Sequence, residues 1–101
     1  MLMYVLEVLN GPLDGKTWEF EAEITIGRDE AVAEACITID RYISRKHARI
    51  HEDSGRLVLS DLSSRNGTKL DGRVVTASPI ALGERFVIGR TLLRVARAGE
   101  P

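Results

Sequence analysis

Cysteine occurs once in this chain of 101 residues, at Cys36, which excludes an internal disulfide framework and a cysteine-built zinc cluster. Histidine is nearly as scarce: only His47 and His51 are present, and with one cysteine they give no metal-ligand spacing, so no metal or cofactor is expected. No apolar run approaches the ~18 residues that a membrane helix requires. The apolar stretch from Met1 to Leu9 is broken by Glu7 and lacks a leading basic segment, a poor match to a secretory signal. A strong charge imbalance is also missing. The 14 basic side chains face 15 acidic ones for a net charge of −1, which removes bulk attraction to nucleic acid or to an anionic membrane. Helix-forming sequence is confined to Asp29–Ala35, about two turns, too little to cover a parallel sheet. These absences leave one small cytoplasmic domain over 1–101, with its core at 4–96 and a tail at 97–101. At this length roughly 65% of the unfolded surface can be buried without metal or disulfide.

What is present is a series of short β-rich segments separated by turn residues. Val5–Leu9 leads into Asn10-Gly11-Pro12-Leu13-Asp14-Gly15, and Trp18–Glu21 alternates apolar with acidic residues as a half-exposed strand does. Further strands are expected at Ile24–Ile26, Ile37–Ile39, Ala48–His51, Leu57–Leu59, Thr68–Leu70, Arg73–Val75, Phe86–Ile88 and Thr91–Val95. Asn66-Gly67 and Asp71-Gly72 are dipeptides that tolerate positive φ at both centres of a tight hairpin turn. The expected fold is all-β, an antiparallel sandwich or barrel.

Charge is sorted along the chain. Residues 1–40 carry two basic and nine acidic side chains, whereas residues 41–73 carry eight basic and four acidic. The basic island suits a small anionic ligand better than a long polyanion. Enzymatic readings fail on spacing. Gly11–Thr17 resembles a phosphate loop, but its first glycine would have to stand at position 10, which holds Asn10, and the sequence continues as a strand rather than a helix. Ser44, His47 and Asp40 contain the residue types of a hydrolase triad without an oxyanion loop beside Ser44. No enzyme is expected. Three segments instead place hydrogen-bonding residues at strand ends: Gly27-Arg28, Ile43–Ala48 and Ser63–Thr68. Sandwich loops gather at one edge of the fold, where guanidinium groups, a hydroxyl, an amide and backbone N–H groups together suit a phosphate.

In these blocks the chain resembles the forkhead-associated (FHA) domain, a phosphothreonine-binding β-sandwich. The blocks are Gly27-Arg28, Ser44-Arg45-Lys46-His47-Ala48, Asp61–Thr68, Leu82-Gly83 and Phe86-Val87-Ile88-Gly89, in the family's order, with the resemblance running from about Leu6 to Val95. The resemblance implies two mainly antiparallel sheets with the binding loops at one end. It also implies that Arg28, Ser44, Arg45, Arg65 and Asn66 contact the phosphopeptide. Ser44 would give the phosphate its hydroxyl and a backbone N–H, Arg45 a charge-assisted bond, and Asn66 a grip on the ligand main chain. Arg65 stands where the family varies, so its backbone is the expected contributor. Tyr42 would read neighbouring ligand residues, with an apolar or aromatic preference. Gly27, His47 and Gly67 would support the loops, the glycines by adopting backbone shapes that side chains forbid.

The implied function is reversible, phosphorylation-dependent capture of a phosphothreonine-containing protein or peptide by a monomeric module, without nucleic acid or membrane. A phosphorylation-independent scaffold is the alternative. A phosphothreonine carries roughly −1.5 to −2 charge at neutral pH where the free hydroxyl carries none. Affinity is expected in the micromolar range, on the order of −7 to −8 kcal/mol.

Overall fold

A computed structural model describes residues 3–99. Eleven strands follow one another: β1 (Tyr4–Val8), β2 (Thr17–Phe20), β3 (Glu23–Gly27), β4 (Ala35–Cys36), β5 (Ala48–Asp53), β6 (Arg56–Asp61), β7 (Thr68–Leu70), β8 (Arg73–Val75), β9 (Ala77–Pro79), β10 (Arg85–Ile88) and β11 (Thr91–Arg97). They form two sheets, in the orders β2-β1-β11-β10-β7-β8 and β4-β3-β5-β6-β9. Every pairing is antiparallel except β3 with β4. The expected all-β sandwich of mainly antiparallel sheets is what the chain forms.

Period-2 alternation sets which residues meet between the sheets. In β1, Tyr4, Leu6 and Val8 are buried while Val5 and Glu7 face outward. β11 alternates in the same way, with Thr91, Leu93 and Val95 buried, and the register places Leu6 opposite Val95. From the other sheet, Ile24, Ile26, Ile50 and Leu59 pack into the same core. At about 25 cal/mol per Å² of apolar surface, each of these large side chains contributes roughly 1.5–3 kcal/mol on burial.

Four local readings change. Asp29–Ala35 does not form a helix. Asp29 O accepts Val32 N and Ala33 N for a single turn, after which Ala35–Cys36 pairs parallel to β3. That pairing also moves the expected Ile37–Ile39 strand two residues upstream, leaving Ile37 buried and Ile39 exposed. β9 is a strand beyond those expected. It lies at a sheet edge, where proline's missing N–H costs no ladder bond. The tail begins later than 97: Arg97 is the last residue of β11, paired with Tyr4, and Ala98 N donates to Met3 O. The remaining tail residues Glu100 and Pro101, like Met1 and Leu2, lie outside the described residues.

Strand register brings the loops of interest to one end. Ile26 pairs with Ala48, and Ala48 with Asp61, so loops 28–34, 37–47 and 62–67 emerge together. In the facing sheet, Thr68 and Thr91 both pair with Ile88, which sets the turn at 89–90 beside them.

Candidate functional site

The end of β3 is stitched to the loop before β5. Arg28 N donates to both Ser44 O and Arg45 O at 3.1 Å, and Arg28 Nε donates to Ile43 O at 3.0 Å. The exposed guanidinium is thus held at Nε, with its Nη atoms turned to no protein acceptor among the described residues. Gly27 makes this approach possible, for a reason different from the one expected. A Cβ there would lie 2.0 Å from Arg45 O, so the constraint is space, not φ. Gly67 does have the positive φ anticipated for it, at 85°.

Ser44 and His47 form the centre. Ser44 N donates to His47 Nδ1 at 3.0 Å, so that nitrogen carries no proton, and Nε2–H therefore donates to Gly67 O at 2.8 Å. His47 is completely buried and ties loop 37–47 to loop 62–67. Its Nε2 lies 4.0 Å from Asp61 Oδ1, but a neutral ring whose only N–H points at Gly67 makes no ion pair. The backbone N–H of Ser44, expected to serve a ligand, is thus engaged inside the protein. The hydroxyl remains: Ser44 Oγ accepts Arg65 N at 2.9 Å, which orients the oxygen and leaves its own O–H free to donate outward.

Loop 62–67 is shaped by Asp61. Its carboxylate accepts Ser64 N, Ser64 Oγ and Thr68 Oγ1, and Ser64 Oγ in turn accepts Gly67 N at 2.9 Å. Burial alone would raise the Asp61 pKa. The hydrogen bonds from Ser64 and Thr68 outweigh it and hold the carboxyl below its ordinary range. Asp40 plays the matching part in loop 37–47. Its Oδ1 accepts Tyr42 N, while Oδ2 accepts Arg90 N and Thr91 Oγ1. Asn66 Nδ2 donates to Tyr42 O at 2.8 Å, joining the two loops a second time. The Tyr42 ring carries the Arg90 guanidinium at 4.4 Å from its centroid, and Arg90 Nη2 donates to Tyr42 OH at 3.2 Å.

Arg28, Ser44, Arg65 and Asn66 are therefore brought together through the backbone and side-chain bonds of two loops, with Arg45 exposed next to Ser44. Asp40, Asp61, Ser64 and Arg90 were not assigned roles from the sequence. The Asp61–Ser64 spacing carries a turn signal, since a short acidic side chain caps backbone and hydroxyl donors a few residues on. Asp40 has the same signal in Tyr42, two residues later. Arg90 has none. Two concavities flank the cluster. A mainly apolar groove of about 430 Å³ runs from Pro12 and Leu13 past Ile37 to Tyr42 and Arg90. A hollow of about 260 Å³ lies between Tyr42, Asn66, Lys69 and Arg90. Arg28, Ser44, Arg45 and Arg65 line neither, so they present an open surface to a ligand.

The sequence model of the FHA domain matches residues 24–89. The FHA domain-containing protein FhaB of Mycobacterium tuberculosis is 34% identical over 92 residues, covering 89% of this chain and 58% of that protein. The chain spans 22% to 58% of the length of the curated relatives it matches. Among solved structures, the FHA domain of an Arabidopsis thaliana protein superposes with a TM-score of 0.86 at 31% identity, over 99% of this chain and 89% of that one. An FHA domain solved in a study of phosphothreonine-dependent FHA interactions gives 0.81 at 28% identity, over 98% of each chain.

Proposed function

This chain belongs to the FHA-domain family, and we propose that it binds phosphothreonine-containing segments of partner proteins through the loops that carry Arg28, Ser44, Arg45, Arg65 and Asn66. FHA domains are interaction modules, and the reading for this one is capture without turnover, in the cytoplasm. One observation carries the proposal. Ser44 Oγ accepts Arg65 N–H, so its hydroxyl is oriented with a donor to spare beside the anchored Arg28 guanidinium.

The chemistry follows from that arrangement. A phosphate offers three strong acceptor oxygens. Arg28 supplies a planar fork already held at Nε, and Arg45 an exposed guanidinium beside Ser44. Asn66 uses Nδ2 internally on Tyr42 O, which leaves its amide oxygen to accept a ligand main-chain N–H. Because these donors are positioned before the ligand arrives, less of the interaction is offset by ordering. Hydrogen bonds to a charged group contribute roughly 1.5–3 kcal/mol each, so removing one donor weakens binding about tenfold or more. His47 and Gly67 support the loops from within and touch no ligand.

Calorimetric titration with matched phosphothreonine and unphosphorylated peptides tests the proposal. Micromolar binding of the first and none of the second is expected. Equal affinity for the two refutes it, and partner capture that survives Ser44→Ala would identify a phosphorylation-independent scaffold instead.

A further inference from the structure

Away from the loops, the outer face of the six-stranded sheet breaks a rule of strand pairing. Arg94 of β11 stands directly opposite Arg85 of β10, and like charges in that position repel. Both point outward, since their neighbours Phe86, Leu93 and Val95 are buried. Glu7 of β1 flanks Arg94 on its other side and accepts its Nε–H at 2.9 Å, which answers one guanidinium. Arg85 is exposed, and its side chain has no partner among the described residues. The acids next to it in the chain and across the ladder do not help. Glu84 accepts Ala81 N, and Asp71, in the β7–β8 turn, forms no ion pair among the described residues. Two residues along the same strands runs a second row, Leu92, Val87, Lys69 and Val74, each opposite the next. Leu92 and Val87 are half-buried, and Lys69 is exposed with no partner among the described residues. Val74 is the most exposed large apolar side chain among them. A cationic row thus lies beside a mainly apolar one.

We infer that this face docks an amphipathic helix of a partner protein, with apolar residues along one stripe and acidic residues along the adjoining one. The surface lies outside the phosphopeptide loops and acts without a phosphate. The two rows set the shape of the occupant. Neighbouring strands are about 4.8 Å apart, so four side chains span about 14 Å, and rows two residues apart along a strand lie about 7 Å from each other. Ten helical residues cover about 15 Å and place an i, i+3, i+4, i+7 apolar stripe beside a polar flank. A strand laid along the rows would offer the sheet a single line of side chains and leave one row unmet. Charge sets the sign. Arg85, Lys69 and the donors of Arg94 that Glu7 does not use call for carboxylates. An anionic membrane suits the face less well, because no aromatic side chain stands there to insert. Tyr4, Phe20 and Phe86 are in the core, Trp18 packs against it, and Tyr42 belongs to the loops.

Heteronuclear NMR on the intact chain tests this with a stapled helical peptide of about 14 residues, carrying Leu at i, i+3, i+4 and i+7 and Glu along one flank. Two control peptides replace Glu by Lys or scramble the order. Saturable shifts are expected at the amides of Arg85, Val87, Leu92 and Arg94, with a Kd of about 0.1–1 mM for so small a surface and binding at least about fivefold weaker for both controls. Arg85→Glu puts a carboxylate opposite Arg94, so its Tm should be no lower than the parent's while affinity for the acidic helix falls about five- to tenfold. Ser44→Ala should bind the helix as the parent does. No shifts at this face, equal binding of the control peptides, or shifts confined to loops 37–47 and 62–67 overturn the inference. A Tm lowered by Arg85→Glu also overturns it, since Arg85 would then serve the fold. Two further results assign the face to another occupant and overturn it as well: binding to phosphatidylglycerol vesicles but not to the helix, or a dimer in sedimentation that Arg85→Glu dissociates.

Discussion

Gly27→Ala is the sharpest perturbation the fold offers, because one methyl group meets backbone that has nowhere cheap to go. The added Cβ would sit 2.0 Å from Arg45 O and 2.8 Å from Arg45 C. Non-bonded carbon and oxygen do not approach within 3.0 Å in real side chains, so the Arg45 carbonyl must retreat by about 1 Å. That carbonyl accepts Arg28 N at 3.1 Å and Asp29 N at 3.3 Å. Both distances would then lengthen by about 1 Å, beyond any useful hydrogen bond. Two bonds at about 1 kcal/mol each, with overpacking strain of about 1–3 kcal/mol, give a destabilisation of roughly 3–5 kcal/mol. For a domain of this size that is a fall in Tm of roughly 15–30 °C. Thermal and urea denaturation read it directly. Phosphopeptide titration below the new Tm should show at least a tenfold loss, since Arg28, Ser44 and Arg45 move together. Gly72→Ala is the control. Gly72 has a φ of 75° with nothing within 4 Å of an added Cβ, so only backbone strain of about 1 kcal/mol applies and binding is untouched. A Gly27→Ala protein that melts within a few degrees of the parent, or that binds as well, would refute the argument that the close approach of β3 to Arg45 builds the site.

Ser44→Ala removes the outward hydroxyl and the acceptor for Arg65 N; affinity should fall tenfold or more in calorimetry, with stability changed by no more than about 1 kcal/mol because the site is solvent-facing. His47→Ala leaves Ser44 N and Gly67 O without their shared partner at a fully buried position, so urea titration should show a loss of roughly 2–4 kcal/mol, with binding lost as the two loops part. Asp61 makes stability depend on acid. Its folded pKa lies below the unfolded value, so the unfolded chain takes up the proton first. The contribution is full above the ordinary Asp value and falls away as pH drops through the folded one, below about pH 4. Urea midpoints at pH 7, 4 and 3 should therefore fall more steeply for the parent than for Asp61→Asn, and parallel curves would exclude this role.

The sequence disclosed some layers of this structure and hid others for identifiable reasons. Strands with a buried face were legible because Tyr4-Leu6-Val8 and Leu93-Val95 alternate at the period of a pleated sheet. β4 and β9 were not, because two or three residues are too short to show a period and their pairing is dictated by neighbours, Gly27 for Cys36 and Leu59 for Ser78. Asn66-Gly67 read as a hairpin turn, yet only Gly67 has positive φ; the turn is imposed by Asp61 and Ser64 from upstream. Asp71-Gly72 was legible, since both residues adopt positive φ, 53° and 75°, between the paired strands β7 and β8. At the site, the ligand-facing candidates could be listed from the chain. Their supports could not, because Asp40 and Arg90 are fifty residues apart in sequence and meet only once both sheets have formed.

The supports explain how exposed donors stay in place. Each candidate group makes one bond that fixes it and keeps another free: Arg28 is held at Nε, Ser44 at its oxygen, Asn66 at Nδ2. The loops that carry these groups are braced in turn by side chains engaged within the protein: buried His47 between the loops, half-buried Asp61 under one and buried Asp40 under the other. Neutrality of His47 matters to this division. A charged ring between the loops would require a second N–H facing Ser44 N–H, and the latch would open. The sorted charge of the sequence then has a structural meaning. The two carboxylates that brace the site, Asp40 and Asp61, act inward on backbone N–H and hydroxyl groups, so they do not pair with the arginines around Ser44. A chain of net charge −1 can in this way present a local cationic surface, because its acids near the loops serve the protein rather than its salt bridges.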